Sequence, residues 1–275
     1  MEPRLSAASS RVARRAVLLA GAAAGLAWLG HRGAWAAAPP PLADHGGSPP
    51  WLRLPSFTEN GAKVPITVEM DHSMAADHHV TVVRVVNDRD PFPSKGEFHF
   101  TPVNGHVFLA FQARLDDGHS VVRVGAECSR GQQWSNTGTL RVASGGGGCA
   151  GAVPGPDQRS TEIRPPVIRL PHLLRGRRLE PGDIIDVQVK LKHPVRTGLA
   201  VRDGQFVPVS EPFYLTAMEV LYGGRPVSRF VLTPALADDP LITFRLRPED
   251  EGRLRVVFRN SRGGVYEATQ PVRFG

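Results

Sequence analysis

Short stretches in which apolar and polar residues alternate recur along this 275-residue chain, and turn-forming residues separate them. Alternation with a period of two is typical of strands that bury one face, and the chain shows no helical periodicity. The first series of predicted strands is 64–70, 80–87, 96–101, 107–115, 121–128 and 138–143, and the second is 167–170, 183–191, 213–222, 226–232, 241–246, 253–260 and 265–274. Turn sequences such as Asn60-Gly61 and Asn104-Gly105 lie between the strands, and the chain has 25 prolines and 29 glycines. The pattern predicts an all-β protein.

A Gly-, Pro- and polar-rich stretch at 144–165 separates the two strand series, so we expect two β-sandwich domains joined by a linker. A chain of this length is long enough for two domains of ordinary size. The predicted segments are 1–36, an export signal; 37–50, a disordered lead-in; 51–152, the first domain with a glycine-rich arm; 153–165, the Gly/Pro-rich linker; and 166–275, the second domain.

The N-terminus has the features of an export signal. Arg14 and Arg15 precede a weakly hydrophobic, Ala/Gly-rich run at 16–29, and Ala34-Trp35-Ala36 fits the small-x-small rule of a signal-peptidase site. Paired arginines before such a run are typical of the twin-arginine route, and a Sec signal with an incidental pair is the alternative. The run is too short for a comfortable membrane span. We therefore expect a periplasmic protein that is not a membrane protein.

The charge of the chain does not indicate a nucleic-acid partner. Residues 1–36 carry five arginines and one glutamate, so their removal lowers the formal charge from +7 to +3. The remaining basic residues are scattered and often alternate with apolar ones on predicted strands. A mild, dispersed positive charge is not the basic patch that nucleic-acid binding requires.

A cysteine at the end of a glycine run is the strongest functional signal. Cys149 follows four consecutive glycines, and the predicted flexible arm consists of Gly145, Gly146, Gly147, Gly148 and Gly151 around it. Glycine packs no side chain and loses the most entropy on ordering, so the run predicts a flexible tether. Fully extended, it would carry a thiol about 15–20 Å from the folded body. A thiol on such an arm suits delivery into other proteins, and a plain linker with an incidental cysteine is the alternative.

Cys128 is the second of the two cysteines. It lies on the predicted strand 121–128, whose alternation favours a packed thiol. A disulfide between Cys128 and Cys149 is the alternative in an exported chain, and it would add about 3 kcal/mol of stability. Such a bridge would also pin the arm.

We expect no metal site, cofactor or catalytic residue. The local cluster of His72, His78 and His79 lies near Asp71, Asp77 and Met74, but neighbouring histidines on a strand point to opposite faces and no i, i+2 ligand pattern is clear. The chain has no G-x-S-x-G nucleophile elbow. The glycine run also lacks the Lys-Ser/Thr that follows in a phosphate-binding loop.

The first half resembles SoxY, the covalent sulfur-carrier subunit of the bacterial sulfur-oxidising system. The matching stretches are 59–68, 87–91, 98–102 and the segment Gly147-Gly148-Cys149-Ala150-Gly151. In the family the last segment is Gly-Gly-Cys-Gly-Gly at the extreme C-terminus, and its cysteine carries the sulfur substrate. Here Ala150 replaces a glycine and Cys149 is internal, so the arm is a loop.

The second half resembles SoxZ, the partner subunit. The matching stretches are 180–183, 193–198, Pro208, 218–224 and 234–241. Together the two resemblances cover about residues 55–275. They imply a fused SoxY–SoxZ protein in which both domains are immunoglobulin-like and pair within one chain.

The resemblance implies that Cys149 is the covalent attachment site for sulfur intermediates during thiosulfate oxidation. Thiolate exchange forms and breaks sulfur–sulfur bonds under mild conditions, and partner enzymes and c-type cytochromes would supply the redox chemistry. An exposed Cys149 would have a pKa near the ordinary value of about 8.5. Fused carriers also resemble proteins associated with quinoprotein dehydrogenases, so an accessory module with another cargo is the second hypothesis. A β-sandwich interaction protein that carries nothing is the third.

Overall fold

The computed structural model describes residues 48–145, 147–150, 162–174, 176 and 178–275. The predicted export signal, most of the lead-in and most of the linker lie outside these residues. Within them, no helix is long and apolar enough to cross a membrane.

The described residues form strands almost throughout, so the all-β prediction is confirmed. The first half contains β1 (Trp51–Arg53), β2 (Phe57–Thr58), β3 (Val64–Met70), β4 (Met74–Ala75), β5 (His78–Val86), β6 (Ser94–His99), β7 (Val107–Ala113), β8 (Gly118–Cys128) and β9 (Gln133–Val142). The second half contains β10 (Arg164–Arg169), β11 (Ile185–Lys192), β12 (Leu199–Arg202), β13 (Gln205–Pro208), β14 (Leu215–Tyr222), β15 (Arg225–Val231), β16 (Leu241–Leu246), β17 (Gly252–Asn260) and β18 (Val265–Val272). The remaining regular elements in the described residues are two 3-10 turns, Gly61–Lys63 and Pro102–Asn104, and the short helix α1 (Pro171–Leu174).

Alternating burial explains the long strands. Val64, Ile66, Val68 and Met70 of β3 are fully buried, while the residues between them are exposed or half-buried. The strands that sequence analysis missed are β1, β2, β4, β12 and β13. Each has two to four residues, which is too short for a period of two to be recognised.

Two large sheets pack face to face and run through both halves of the chain. One has the order β1-β3-β7-β16-β11-β10, and the other has the order β18-β17-β14-β15-β6-β5-β8-β9-β2, with β4 paired to β5. A separate hairpin joins β12 to β13. In each large sheet one antiparallel pair joins the halves: β7 with β16, and β6 with β15.

Aromatic rings fill the core where the halves meet. Phe98 of β6 lies 5.2 Å from Phe230 of β15 and 5.0 Å from Phe111 of β7, measured between ring centroids. Phe230 also contacts Phe244 of β16 at 5.8 Å. The two immunoglobulin-like halves thus share one hydrophobic core and both sheets, a continuity that the prediction of two sandwiches joined by a linker did not include.

Candidate functional site

The glycine-rich arm folds back onto the first half instead of extending from it. Beyond β9 the chain turns at Ser144 and Gly145, and the N–H of Gly145 donates to Asp117 Oδ2 at 3.1 Å. Asp117 belongs to the loop that follows β7, so this contact directs the arm toward that loop. Gly146 and Gly151 lie outside the described residues.

Gly148 fixes the arm against backbone. Its N–H donates to the carbonyl of Leu115 at 2.8 Å. A Cβ at this position would lie 2.3 Å from the carbonyl oxygen of Gly61 and 2.4 Å from backbone atoms of Ala62. Real Cβ atoms do not approach backbone so closely, so only glycine fits. At this position glycine permits close packing, whereas the glycine run in the sequence indicated flexibility.

The Cys149 side chain is fully buried. Burial raises the pKa of its thiol to about 12; the carboxylates of Asp90 and Asp116 add to the shift, and the cations of Lys95 and Arg114 oppose it. The thiolate is the nucleophilic form of cysteine, so docked Cys149 is a protonated, unreactive thiol at neutral pH. The expectation of an exposed thiol with an ordinary pKa is therefore wrong for this state.

A buried ion pair is the main charged feature near the thiol. Lys95 is fully buried, and its ammonium binds the Asp90 carboxylate and donates to the carbonyls of Phe92 at 3.0 Å and Arg114 at 2.9 Å. The other carboxylate oxygen of Asp90 accepts the N–H of Asp116 at 3.1 Å. Because all three protons of the ammonium find acceptors, the pair can stay charged away from water.

Arg114 connects the arm to the second half of the chain. Its side chain is almost fully buried, and Nη1 donates to the carbonyl of Gly148 at 3.0 Å. Nη2 donates to the carbonyl of Val195 at 3.1 Å and to the Asp238 carboxylate at 2.7 Å. Nε donates to the carbonyl of Leu236 at 3.3 Å. One guanidinium therefore holds the arm and two segments of the second half together.

Both of those segments carry the resemblance noted in the sequence. Val195 lies in 193–198 and Asp238 lies in 234–241. The Asp238 carboxylate also accepts the N–H of Val195 at 2.5 Å, which ties the two segments to each other. The motif residues of the second half thus accept hydrogen bonds from Arg114, and through Arg114 they are connected to the arm.

The two cysteines lie far apart. Both are free and buried, so the alternative of a disulfide between them is not supported. Gly118, at the start of β8, follows the loop on which the arm docks, and Cys128 ends the same eleven-residue strand. At about 3.3 Å per residue this separation is about 30 Å. The prediction that Cys128 is packed is confirmed.

No sequence pattern pointed to the charged residues of the site. Asp90 and Asp238 lie inside stretches that matched the families, but nothing in their local pattern indicates proximity to Cys149. Lys95 and Arg114 each lie at a strand boundary and resemble ordinary surface charges. Their burial depends on contacts between residues that are distant in sequence, so no local pattern could have revealed it.

Comparison with protein families assigns both halves. Residues 51–149 match the family described as sulfur oxidation protein SoxY. Residues 175–271 match the family described as sulphur oxidation protein SoxZ. The chain belongs to the SoxY and SoxZ families, joined in tandem. Proteins of these families are non-catalytic components of sulfur oxidation and work with partner enzymes. Below, the SoxY region and the SoxZ region are residues 51–149 and 175–271.

The search of curated proteins found no match. One solved structure with some likeness is the Bacteroides ovatus mixed-linkage glucan utilization locus protein SGBP-B in complex with mixed-linkage heptasaccharide. The two sequences are 14% identical, the alignment covers 82% of this chain and 48% of that chain, and the TM-score is 0.19. This chain therefore spans about half of that protein's length. A TM-score this low does not indicate a shared fold.

The arm lies at the C-terminal end of the SoxY match. Cys149 is the last residue of the SoxY match. Arg114 belongs to the SoxY region, whereas its acceptors Val195 and Asp238 belong to the SoxZ region. The docked arm of the SoxY region is thus held by a group that the SoxZ region positions.

Proposed function

We propose that this protein is a non-enzymatic carrier that holds sulfur intermediates covalently on the Cys149 thiol and presents them to partner enzymes. The observation that supports the proposal most directly is the docking of Cys149 at the end of a glycine arm, in a pocket that only glycine at position 148 can enter. A cysteine that served only the core would not need this arrangement.

The carrier alternates between a docked and a released arm. Three hydrogen bonds hold the described arm: Gly145 to Asp117, Gly148 to Leu115, and Arg114 to Gly148. The neutral bond from Gly148 to Leu115 contributes about 1 kcal/mol and each of the two bonds to a charged group about 1.5–3 kcal/mol, and the binding energy of a partner enzyme can offset their loss. In the docked state the thiol is protected from unwanted oxidation, and in the released state it regains an ordinary pKa and reactivity.

Loading of thiosulfate on released Cys149 requires an oxidant. The thiol gives up its proton, its sulfur bonds to the terminal sulfur of thiosulfate, and two electrons pass to a c-type cytochrome partner. The product is a cysteine with an S–S–sulfonate group. A partner enzyme then hydrolyses the sulfonate off as sulfate and leaves a persulfide on Cys149. Oxidation of the outer sulfur to a sulfonate, with its electrons passing to c-type cytochromes, and a second hydrolysis restore the thiol, so the carrier itself needs no acid–base group. Cargo and partners follow here from the family resemblance.

Mass spectrometry of the mature protein tests the proposal. We expect incubation with thiosulfate, an oxidant and the partner enzymes to add a reductant-sensitive mass to the Cys149 peptide. Cys149→Ser should abolish the adduct, and Cys128→Ser should leave it unchanged. An adduct that persists in Cys149→Ser, or that maps to Cys128, would contradict the assignment of Cys149 as the attachment site.

A second candidate is an accessory module of a quinoprotein dehydrogenase or cytochrome system. The internal position of Cys149 favours it, because both flanks of a loop must enter a partner's cleft where a free C-terminal arm inserts only one chain. Turnover assays with purified partner enzymes separate the candidates. Turnover with thiosulfate-oxidising enzymes supports the carrier, and turnover with a quinoprotein dehydrogenase alone supports the accessory module.

We also propose that residues 1–36 export the protein to the periplasm by the twin-arginine route. Replacement of Arg14 and Arg15 by lysine should block export, since that route requires the pair. The measurement is the fraction of mature protein in a periplasmic extract, with an unaltered Sec-exported protein as the control. Unchanged export would favour the Sec alternative.

A further inference from the structure

Two histidines and a cysteine converge at the end of the SoxY region opposite the arm. Cys128 ends β8, His78 begins β5, and His72 lies just before β4. Cys128 pairs with Val80 of β5, which brings the end of β8 next to His78. One donor atom from each of the three side chains lies within 4.8 Å of the other two.

Each side chain of this cluster keeps a ligand atom that makes no strong hydrogen bond. His72 Nδ1 lies 2.7 Å from the carbonyl oxygen of Ser73, so Nδ1 carries the proton and donates, leaving the Nε2 lone pair free. His78 Nε2 is buried and has no hydrogen-bond partner among the described residues. The Cys128 sulfur makes only a weak contact of 3.8 Å to Gln132 Oε1.

Neighbouring groups orient the histidine rings. The His72 and His78 rings contact each other edge to face, with their centroids 4.6 Å apart, and Trp134 packs against His72 at 5.2 Å. The bond from His72 to the Ser73 carbonyl is the outer contact that metal-binding histidines typically make, because it fixes the tautomer and the ring orientation.

The ligand set matches a particular class of ion. Imidazole and thiolate together favour Zn²⁺ or copper, and carboxylate-preferring ions such as Mg²⁺ avoid them. With bonds of about 2.0–2.1 Å to nitrogen and about 2.3 Å to sulfur, tetrahedral donors lie about 3.3–3.8 Å apart. The cluster needs to contract by only about 1 Å to reach this geometry. His72 and His78 are both only partly buried, so their rings can make that adjustment.

We propose that His72, His78 and Cys128 bind one d¹⁰ transition-metal ion, Zn²⁺ or Cu⁺. On binding, the Cys128 thiol releases its proton and its sulfur becomes the third ligand; no electron is transferred. With Zn²⁺, a fourth position stays open for water or a small ligand. The local sequence predicted no metal site here, because its histidines show no clear ligand spacing and the thiol comes from fifty residues further along the chain.

Cobalt binding tests the site. The protein is the mature chain without an affinity tag, in a Cys149→Ser background, so that Cys128 is the one thiol present. We expect one Co²⁺ per chain with a thiolate-to-cobalt charge-transfer absorption in the near ultraviolet. Zn²⁺ or Cu⁺, added separately, should displace the cobalt at one equivalent, and the ion that does so at the lower concentration is the ligand that the site prefers.

Single substitutions locate the ligands. Cys128→Ser should abolish the charge-transfer band, and His72→Ala and His78→Ala should each weaken cobalt binding at least about tenfold. His119→Ala is the matched control, because His119 is an exposed histidine on the same strand β8, about 30 Å away along it, and should leave binding unchanged. Absence of the band, failure of both ions to displace cobalt, or equal loss in His119→Ala overturns the site. Because the readout is metal absorption, failure here leaves the carrier function standing.

Discussion

At the scale of single residues, Gly148 decides whether the arm can dock. Its backbone lies so close to Gly61 and Ala62 that a single added carbon would overlap them. Cys149 follows directly and is buried as a result. The same glycine run that looked like a tether thus contains a contact position.

Gly148→Ala should therefore release the arm and expose Cys149. We expect its alkylation by iodoacetamide at pH 7.5 to speed up at least about tenfold, because the docked thiol is both inaccessible and protonated. Ser144→Ala is the control, since Ser144 is exposed in the same arm and loses only a hydroxyl. Peptide mapping by mass spectrometry measures the rate at each cysteine, and an unchanged rate in Gly148→Ala would mean that docking does not protect the thiol.

The raised pKa of Cys149 makes docking depend on pH. The pKa is about 12 when docked and near 8.5 when released, so docking is fully stable below about pH 8.5. Above that pH the released thiolate is favoured by about 1.4 kcal/mol for each further unit, until the docked thiol itself ionises. The arm should therefore release as the solution becomes alkaline.

Alkylation across pH 7–11 measures this release. In the unaltered protein the rate at Cys149 should keep rising well beyond pH 9, because both ionisation and release increase. In Gly148→Ala it should level off near pH 9, as for an exposed thiol. Identical pH profiles for the two proteins would contradict a buried, docked Cys149.

At the scale of elements, β6 with β15 and β7 with β16 carry the contact between the halves. Phe230 of β15 is fully buried and touches rings from β6 and β16. The strands themselves are ordinary alternating segments. Their partners differ from those expected, because an edge of each sheet in the SoxY region continues into the SoxZ region.

Phe230→Ala should lower the free energy of unfolding by about 3–5 kcal/mol, because it leaves a cavity in the shared core. The neighbouring Arg229→Ala is the control, since Arg229 is exposed on the same strand and should change stability by less than about 0.5 kcal/mol. Urea unfolding followed by circular dichroism measures both. A loss below about 1 kcal/mol for Phe230→Ala would mean that the two halves do not share a packed core there.

At the scale of the whole molecule, the two halves should unfold together. Both large sheets and the core cross the boundary between the SoxY and SoxZ regions, so the sandwich of each region is hydrogen-bonded to that of the other through both sheets. All four tryptophans lie at or before position 134, and all three tyrosines lie at or after position 214. The two chromophores therefore report on different halves of one chain.

We expect coincident urea midpoints from tryptophan fluorescence and from tyrosine derivative absorbance, as two-state unfolding requires. The Phe230→Ala variant should shift both midpoints equally, although its substitution lies in the half without tryptophan. Two separated midpoints, or a shift seen by tyrosine alone, would show that the halves fold as independent domains.

The sequence alone determined the longer strands and the all-β class, and it singled out Cys149 as the candidate attachment site. The predicted strands 64–70 and 241–246 coincide with β3 and β16, because a buried face forces an alternation that local sequence displays. Cys149 stood out because the glycine run and its cysteine are contiguous in the sequence.

The tertiary structure alone decided what those residues do together. The burial of Lys95 and Arg114, the docking of Cys149 and the cluster of His72, His78 and Cys128 all join residues tens of positions apart. Local patterns contain no information about such contacts, because which strand edges meet depends on packing of the whole core. The pairing of the sheets therefore decides whether a charged side chain is solvated or buried. It also decides whether a glycine gives the chain flexibility or lets two backbone segments pack closely.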